Sequence, residues 1–199
     1  MEITYESTSK SIDLPDGTHV HYNEAGEGHP LILIHGSGPG ATGWSNFSPN
    51  IAELAKDFRV FAIDLPGWGG KSSPRPAAEY NHPPEVVSQF ITALDLGAVA
   101  LVGNSMGGMV SLAMAARHPE QVSHLITMGP PGSGGVTIMD PAGGLSEGLK
   151  ILYRGYADPT PPENFELTVE VMTYNTPEGD RDPAVEAARR ERPGQPPST

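Results

Sequence analysis

The chain contains no cysteine and few basic residues, and each shortage excludes a class of function. Without cysteine, its 199 residues can form no disulfide, no thiolate metal site and no cysteine nucleophile. Twelve Lys and Arg residues stand against 24 Asp and Glu, a net charge of -12, so neither a nucleic acid nor an anionic membrane is an expected partner. No run approaches 18 consecutive apolar residues, and the polar first ten residues lack the layout of a signal peptide. We therefore expect a cytoplasmic protein.

Glycine and proline, in contrast, are abundant, and their positions divide the chain. The 24 glycines and 21 prolines are 45 of the 199 residues, just below the level that suggests disorder. Up to about residue 129 they separate apolar segments, whereas residues 181–199 combine four prolines with four of the twelve basic residues. We predict a core over residues 1–135, a partial helical lid over 136–180 and a poorly ordered tail over 181–199.

The apolar segments alternate between the periodicities of strands and helices. This pattern predicts strands at 18–24, 31–34, 59–63, 98–102 and 122–128, and helices at 50–56, 85–94 and 110–117. Two further helices, at 147–156 and 163–173, would belong to the lid. Strands that alternate with helices predict an α/β fold, with a mostly parallel sheet that has helices on both faces.

Residues 103–107 read Gly-Asn-Ser-Met-Gly, the G-x-S-x-G pattern of a nucleophile elbow. The motif follows a buried strand directly and leads directly into an amphipathic helix. So sharp a turn needs small flanking residues and raises the Ser105 hydroxyl at a helix N-terminus, where a developing negative charge is stabilised. The alternative is a glycine-lined tight turn with a buried serine. In that case the strand before the motif and the helix after it would be there by chance.

A second glycine-rich loop, His-Gly-Ser-Gly-Pro-Gly-Ala at 35–41, follows the apolar strand at 31–34. Such a loop at the carboxyl end of a neighbouring strand can supply one backbone N–H of an oxyanion hole, and the residue after the nucleophile supplies the other. The loop has neither the G-K-[ST] of a phosphate-binding P-loop nor the spacing of a dinucleotide site, which disfavours both.

These two motifs, together with Trp-Ser-Asn-Phe at 44–47 and Asp-Leu-Pro-Gly at 64–67, resemble the α/β-hydrolase fold. More narrowly, they are similar to the meta-cleavage-product hydrolases, which cut a carbon–carbon bond in 2-hydroxy-6-oxo-hexa-2,4-dienoates formed by ring-opening dioxygenases. The resemblance runs from about residue 5 to about 175. The loop at 68–72 is one residue longer than is usual in that family.

The resemblance implies a serine hydrolase that first ketonises a small-molecule dienoate and then hydrolyses it, without a metal or other cofactor. It also leaves a homo-oligomer open. Its implied catalytic residue is Ser105, and the oxyanion donors are the N–H groups of Ser37 and Met106. The implied substrate-binding residues are Gly36, Gly38, Asn46 and Asn104. For the substrate carboxylate the family uses a lid arginine, for which Arg189 and Arg190 are the nearest candidates. The alternative is that both are solvated charges on a frayed helix.

A serine nucleophile needs a general base, which in this fold follows the serine in the chain. After Ser105 the sequence contains only His118 and His124, and both are expected to be structural. His35, Asp64 and Ser105 each end a predicted strand and could form a reordered triad. The favoured interpretation is that His35 anchors its loop and that Asp64 orders the turn at 64–67 through Asx-type hydrogen bonds.

Three alternatives to the leading hypothesis stay open. The chain could be a general carboxylesterase, or a truncated, non-catalytic remnant that lacks the acid and the histidine of the triad. It could also be a relative that binds a dienoate without turning it over, which the absence of a suitable histidine after Ser105 would explain.

Overall fold

The computed structural model describes residues 2–37, 40–74 and 82–129. Its contacts divide the chain into one unit over Met1–Gly135 and another over Val136–Thr199. The predicted lid and tail, with Arg189 and Arg190, lie outside the described residues, so the predicted domain division stays a prediction. The described strands are β1 (Ser9–Asp13), β2 (His19–Ala25), β3 (His29–Ile34), β4 (Phe58–Ile63), β5 (Val99–Asn104) and β6 (Val122–Met128). The helices are α1 (Tyr5–Thr8), α2 (Gly43–Leu54), α3 (His82–Ala93) and α4 (Met106–Arg117), with a 3-10 turn at Pro119–Gln121.

The described strands form one sheet in the order β1-β2-β4-β3-β5-β6. The strands β4, β3, β5 and β6 run parallel, whereas β1 and β2 are antiparallel to their neighbours. In this register Ile34 lies between Ile63 on β4 and Gly103 on β5. The loops that carry the predicted site therefore leave the same edge of the sheet. The predicted α/β fold with a mostly parallel sheet is confirmed.

Helices cover both faces of the sheet because the central strands are apolar on both sides. Ile32, Ile34, Phe61 and Ile63 pack against α3 and α4 in one buried cluster. Leu31, Leu33, Val60 and Ala62 point the opposite way and pack with Phe47 and Ile51 of α2. This packing holds β3 and β4 rigidly, together with the loops at their carboxyl ends.

The start of α2 and the strand β1 are among the features that differ from the sequence prediction. The helix predicted at 50–56 begins at Gly43, because Thr42 and Ser45 form a reciprocal capping box and Pro49 is accommodated inside the helix. The edge strand β1 has a single apolar residue, Ile12, and was not predicted. Its pairing with β2 supplies the order that its sequence does not show.

Within the described residues β6 lies at the edge of the sheet, and Ile126 is 59% and Met128 43% exposed. No described helix combines the length and the apolar character needed to cross a bilayer.

Candidate active site

Ser105 lies at the turn between β5 and α4, with a backbone conformation that only glycine adopts easily. Its φ is 50° and its ψ is -112°. A non-glycine residue held in such a region costs about 1–3 kcal/mol, which the surrounding structure must offset. Here the Ser105 N–H donates to the carbonyl of Met128 at 2.7 Å, and its own carbonyl accepts from the Gly108 N–H at 2.9 Å. The predicted elbow geometry is thus present in the backbone.

The glycines on either side of Ser105 allow α4 to approach the sheet closely. A Cβ on Gly103 would lie 2.3 Å from the carbonyl oxygen of Gly107, and a Cβ on Gly107 would lie 2.1 Å from the carbonyl oxygen of Ile34. Real Cβ atoms do not come so close to backbone. The two glycines of the motif are therefore required by contact between β3, β5 and α4, independently of any chemistry.

The loop after β3 lies directly beside the elbow. A Cβ built on the buried Gly36 would be 3.3 Å from the Cβ of Ser105. Ser37 follows it and is exposed, and Met106 is the first residue of α4, a position whose N–H has no acceptor within the helix. The structure brings the predicted oxyanion residues to the same strand ends as Ser105. Gly38 lies outside the described residues.

Asn46, in the first turn of α2, links this loop to the elbow. Its Oδ1 accepts from the Gly36 N–H at 2.9 Å and from the Asn104 Nδ2 at 3.0 Å. One side-chain oxygen thus connects Gly36, which precedes Ser37, with Asn104, which precedes Ser105. The predicted substrate-binding roles of Gly36, Asn46 and Asn104 stay predictions, while the hydrogen bonds show what holds the three residues in place.

His35 anchors the loop and is not placed to serve as a base. The Leu65 N–H donates to its Nε2 at 3.0 Å, so the proton is on Nδ1, which donates to the Gly36 carbonyl at 2.7 Å. The ring is fully buried, and this burial lowers the pKa of His35, against the opposing effects of the Gly36 hydrogen bond and the Asp64 charge. Because both ring nitrogens are occupied by backbone groups, the reordered triad does not form.

The interpretation of Asp64 as an Asx-turn residue is wrong. Its Oδ1 accepts from the Gly43 N–H at 2.7 Å, and its Oδ2 lies 2.8 Å from the Nδ1 of His21. The carboxylate therefore points to α2 and β2, and the turn after it is held instead by Ser72, whose hydroxyl donates to the Asp64 carbonyl at 2.7 Å.

His118 and His124 lie far from Ser105, as their structural interpretation requires. His118 caps the far end of α4, about 18 Å along the helix from its start, and its Nε2 is 3.2 Å from Glu85. His124 pairs with Ala100 near the amino end of β5, about 16 Å along the strand from Ser105. Among the described side chains no histidine is hydrogen-bonded to Ser105, and no group of three or more His, Cys, Asp or Glu could hold a metal.

Sequence reasoning missed the Asn46 bridge and the His21–Asp64 pair. Asn46 is four residues after the Thr42 cap and could have been placed in the first turn of α2 if that helix start had been recognised. His21 gives no such signal, because its contact with Asp64 spans 43 residues of sequence.

Comparison with known proteins agrees with this geometry. Residues 29–177 match the family described as the alpha/beta hydrolase fold. A 2-hydroxy-6-oxononadienedioate/2-hydroxy-6-oxononatrienedioate hydrolase of Pseudomonas putida is 38% identical over 180 residues, which cover 87% of this chain and 62% of the relative. A hydrolase of the same name from Burkholderia vietnamiensis is 41% identical over 180 residues, covering 86% of this chain and 60% of the relative.

Solved structures give the same result. The crystal structure of a meta-cleavage product hydrolase variant superposes with a TM-score of 0.71 at 31% identity, over 93% of this chain and 63% of that one. A meta-cleavage product hydrolase from Pseudomonas fluorescens IP01, in complex with acetates, gives 0.70 at 30% identity, over 91% and 61%. This chain spans about three fifths of the length of the curated relatives it matches. With the elbow, the loop after β3 and the sheet order all in place, the chain belongs to the alpha/beta hydrolase fold family.

Proposed function

We propose that the protein hydrolyses a carbon–carbon bond in a 2-hydroxy-6-oxo-hexa-2,4-dienoate, with Ser105 as the nucleophile. The observation that carries the proposal is the strained backbone of Ser105 at a strand-to-helix turn, beside the Gly36 loop. Strain of this kind is retained at functional sites, because an ordinary turn would relieve it by carrying glycine. The substrate class is supported by the names of the relatives from Pseudomonas putida and Burkholderia vietnamiensis.

The proposed reaction needs an acceptor for the electrons of the broken bond. Ketonisation moves the proton of the 2-hydroxyl to C5 of the substrate, which leaves a ketone at C2. Ser105 Oγ then bonds to C6 and gives its proton to a base. The oxyanion at C6 then collapses and the C5–C6 bond breaks; its electron pair forms a C4–C5 double bond and moves through C3 to the C2 oxygen, which takes up the proton from the base. Water finally releases the acyl group from Ser105 as a carboxylate.

The oxyanion that forms at C6 would be held by the N–H groups of Ser37 and Met106. Both belong to elements that pack around Ser105, and Met106 also contributes the positive end of the α4 dipole. Asn46 and Asn104 would border the dienoate end of the substrate. A small-molecule substrate and a cytoplasmic location are part of this proposal, and a homo-oligomer stays open.

None of the three histidines considered for the role is placed to act as the base of this mechanism. His35 has both nitrogens engaged, and His118 and His124 are about 16–18 Å away along their elements. Turnover therefore requires a base other than these three histidines. This observation favours a second candidate function, binding of a dienoate without turnover.

The decisive experiment follows the yellow colour of the dienolate after mixing with the whole chain. We expect the wild type and the control Ser88→Ala, a serine change on α3, to bleach it, and Ser105→Ala to bind it without product. Retained bleaching by Ser105→Ala would refute the nucleophile. Cleavage of simple esters without bleaching would identify a carboxylesterase, and saturable binding without product in the wild type would favour the second candidate.

A further inference from the structure

The carboxylate of Asp64 is buried beside the site but takes no part in the proposed chemistry. It ends β4 and is 1% exposed. Its two oxygens are both occupied, Oδ1 by the Gly43 N–H at 2.7 Å and Oδ2 by the His21 Nδ1 at 2.8 Å. Burial of a carboxylate costs free energy, which these two hydrogen bonds offset, and removal of the carboxylate would leave both partners without it.

The Gly43 hydrogen bond fixes the start of α2. Gly43 is the first residue of that helix, so the negative charge lies where the helix dipole favours it. The helix also starts in contact with β4, because a Cβ on Gly43 would lie 2.5 Å from the carbonyl carbon of Ala62. A shift of this helix start by even a fraction of an ångström would be transmitted to the rest of its first turn.

The first turn of α2 carries the residue that joins the two halves of the site. The Asn46 N–H bonds to the Thr42 carbonyl at 3.2 Å, and the Asn46 Oδ1 bonds to Gly36 and Asn104. A continuous path of hydrogen bonds and one helical turn thus leads from Asp64 to the residues on either side of the predicted oxyanion hole.

His21 holds the other side of the carboxylate. Its side chain is 4% exposed, its Nε2 lies 2.8 Å from the hydroxyl of Ser9, and the Tyr5 ring is 5.7 Å from its own. Ser9, His21 and Asp64 therefore have the connectivity of a hydrolytic triad. Because both nitrogens of the His21 imidazole have partners, this side chain holds the Asp64 Oδ2 against β2. The Asp64 Oδ1 then faces α2, where it accepts from the Gly43 N–H.

We propose that Asp64 is a positioning residue for the Ser105 site, acting through the start of α2 and through Asn46. The proposal rests on the proposed function for the identity of the reacting serine. The positioning itself can be tested without turnover. Loss of the carboxylate oxygen at α2 should weaken the hydrogen bond of the Gly43 N–H and, through Asn46, that of the Gly36 N–H, while the central strands keep their stability.

Amide hydrogen exchange measured by NMR on the whole chain tests this order. In Asp64→Ala we expect the amides of Gly43 and Gly36 to exchange at least tenfold faster than in the wild type, with the amide of Ile32, in the middle of β3, unchanged. Asp64→Asn keeps an oxygen for Gly43 and should restore both amides to within about threefold. Asp13→Asn is the matched control, since Asp13 also pairs with a histidine, His19, at 2.6 Å, but at the surface.

Three results would overturn the proposal. Faster exchange at Gly43 alone would show that the helix start does not act on the site. Equal acceleration at Ile32 would show a general loss of stability, and no acceleration at all would show that the carboxylate positions nothing. If Asp64→Ala does not fold, the scalar coupling across the hydrogen bond between the Gly43 nitrogen and the Asp64 carboxyl carbon, measured in the wild type, decides: its presence supports the proposal and its absence overturns it.

Discussion

Replacing Gly107 by alanine tests the close contact between α4 and the sheet on which the site depends. A Cβ there would lie 2.1 Å from the carbonyl oxygen of Ile34 and 2.7 Å from that of His35. Carbon–oxygen contacts need about 3.3 Å, so helix and strand must separate by roughly 1 Å. Overpacking of this kind lowers the free energy of unfolding by about 3 kcal/mol when the added Cβ meets backbone, which cannot move aside as a side chain can. The higher helix propensity of alanine than of glycine offsets about 1 kcal/mol of that loss. The net loss of about 2 kcal/mol corresponds to a fall in Tm of about 4–8 °C for a chain of this size.

Thermal unfolding followed by circular dichroism measures this loss, and Gly17→Ala provides the control. A Cβ on Gly17 meets nothing within 4 Å, but its φ of 85° makes alanine strained, so that variant should lose only about 1 kcal/mol. A Tm for Gly107→Ala that equals the wild type, or that falls no further than the Gly17→Ala value, would refute the close contact of α4 with β3.

Three further predictions concern the site itself. Ser105→Gly should raise Tm by about 2–4 °C, because glycine relieves about 1 kcal/mol of the strain at φ 50°, whereas Ser105→Ala should bring no gain; equal Tm values would contradict stored strain. Asn46→Ala should lower the free energy of unfolding in urea by about 1–2 kcal/mol, since the Gly36 N–H loses its acceptor, and Asn46→Asp should recover most of it. Because burial lowers the pKa of His35, the unfolded chain binds its proton more readily, and the stability this residue supplies above about pH 6.5 is lost as the pH falls below that value. His35→Gln should flatten the decline of Tm between pH 6.5 and 5, and an unchanged slope would show that His35 titrates normally.

The sheet and the elbow were predictable because their signals are local. The runs at 31–34 and 59–63 are apolar at every position except Arg59, which indicates strands buried on both faces, and β3 and β4 have that burial. The sharpness of the turn predicted that the residues flanking Ser105 must be small. The close approach of Gly103 and Gly107 to neighbouring backbone confirms that reason. Such features depend on neighbours within a few residues, which a sequence displays directly.

The edge strand β1 and the start of α2 were not predictable in the same way. β1 carries almost no apolar residue and is ordered by its pairing with β2. The start of α2 is set by the capping box of Thr42 and Ser45 and by the Asp64 carboxylate, which comes from another strand. The order of β1 thus comes from the neighbouring strand, and the Asp64 carboxylate reaches the start of α2 from 21 residues further along the chain.

The sequence by itself determined the family, the sharp turn that carries Ser105 and the parallel core, because alternation of apolar segments and glycine spacing encode strands, helices and one sharp turn. Only the tertiary structure decided the roles of the polar residues around Ser105. It assigned His35 to the backbone of its own loop, Asp64 to α2 and His21, and Asn46 to both halves of the site. The physical reason is that a hydrogen bond depends on the position of two atoms to within a few tenths of an ångström, and packing of the whole sheet sets those positions.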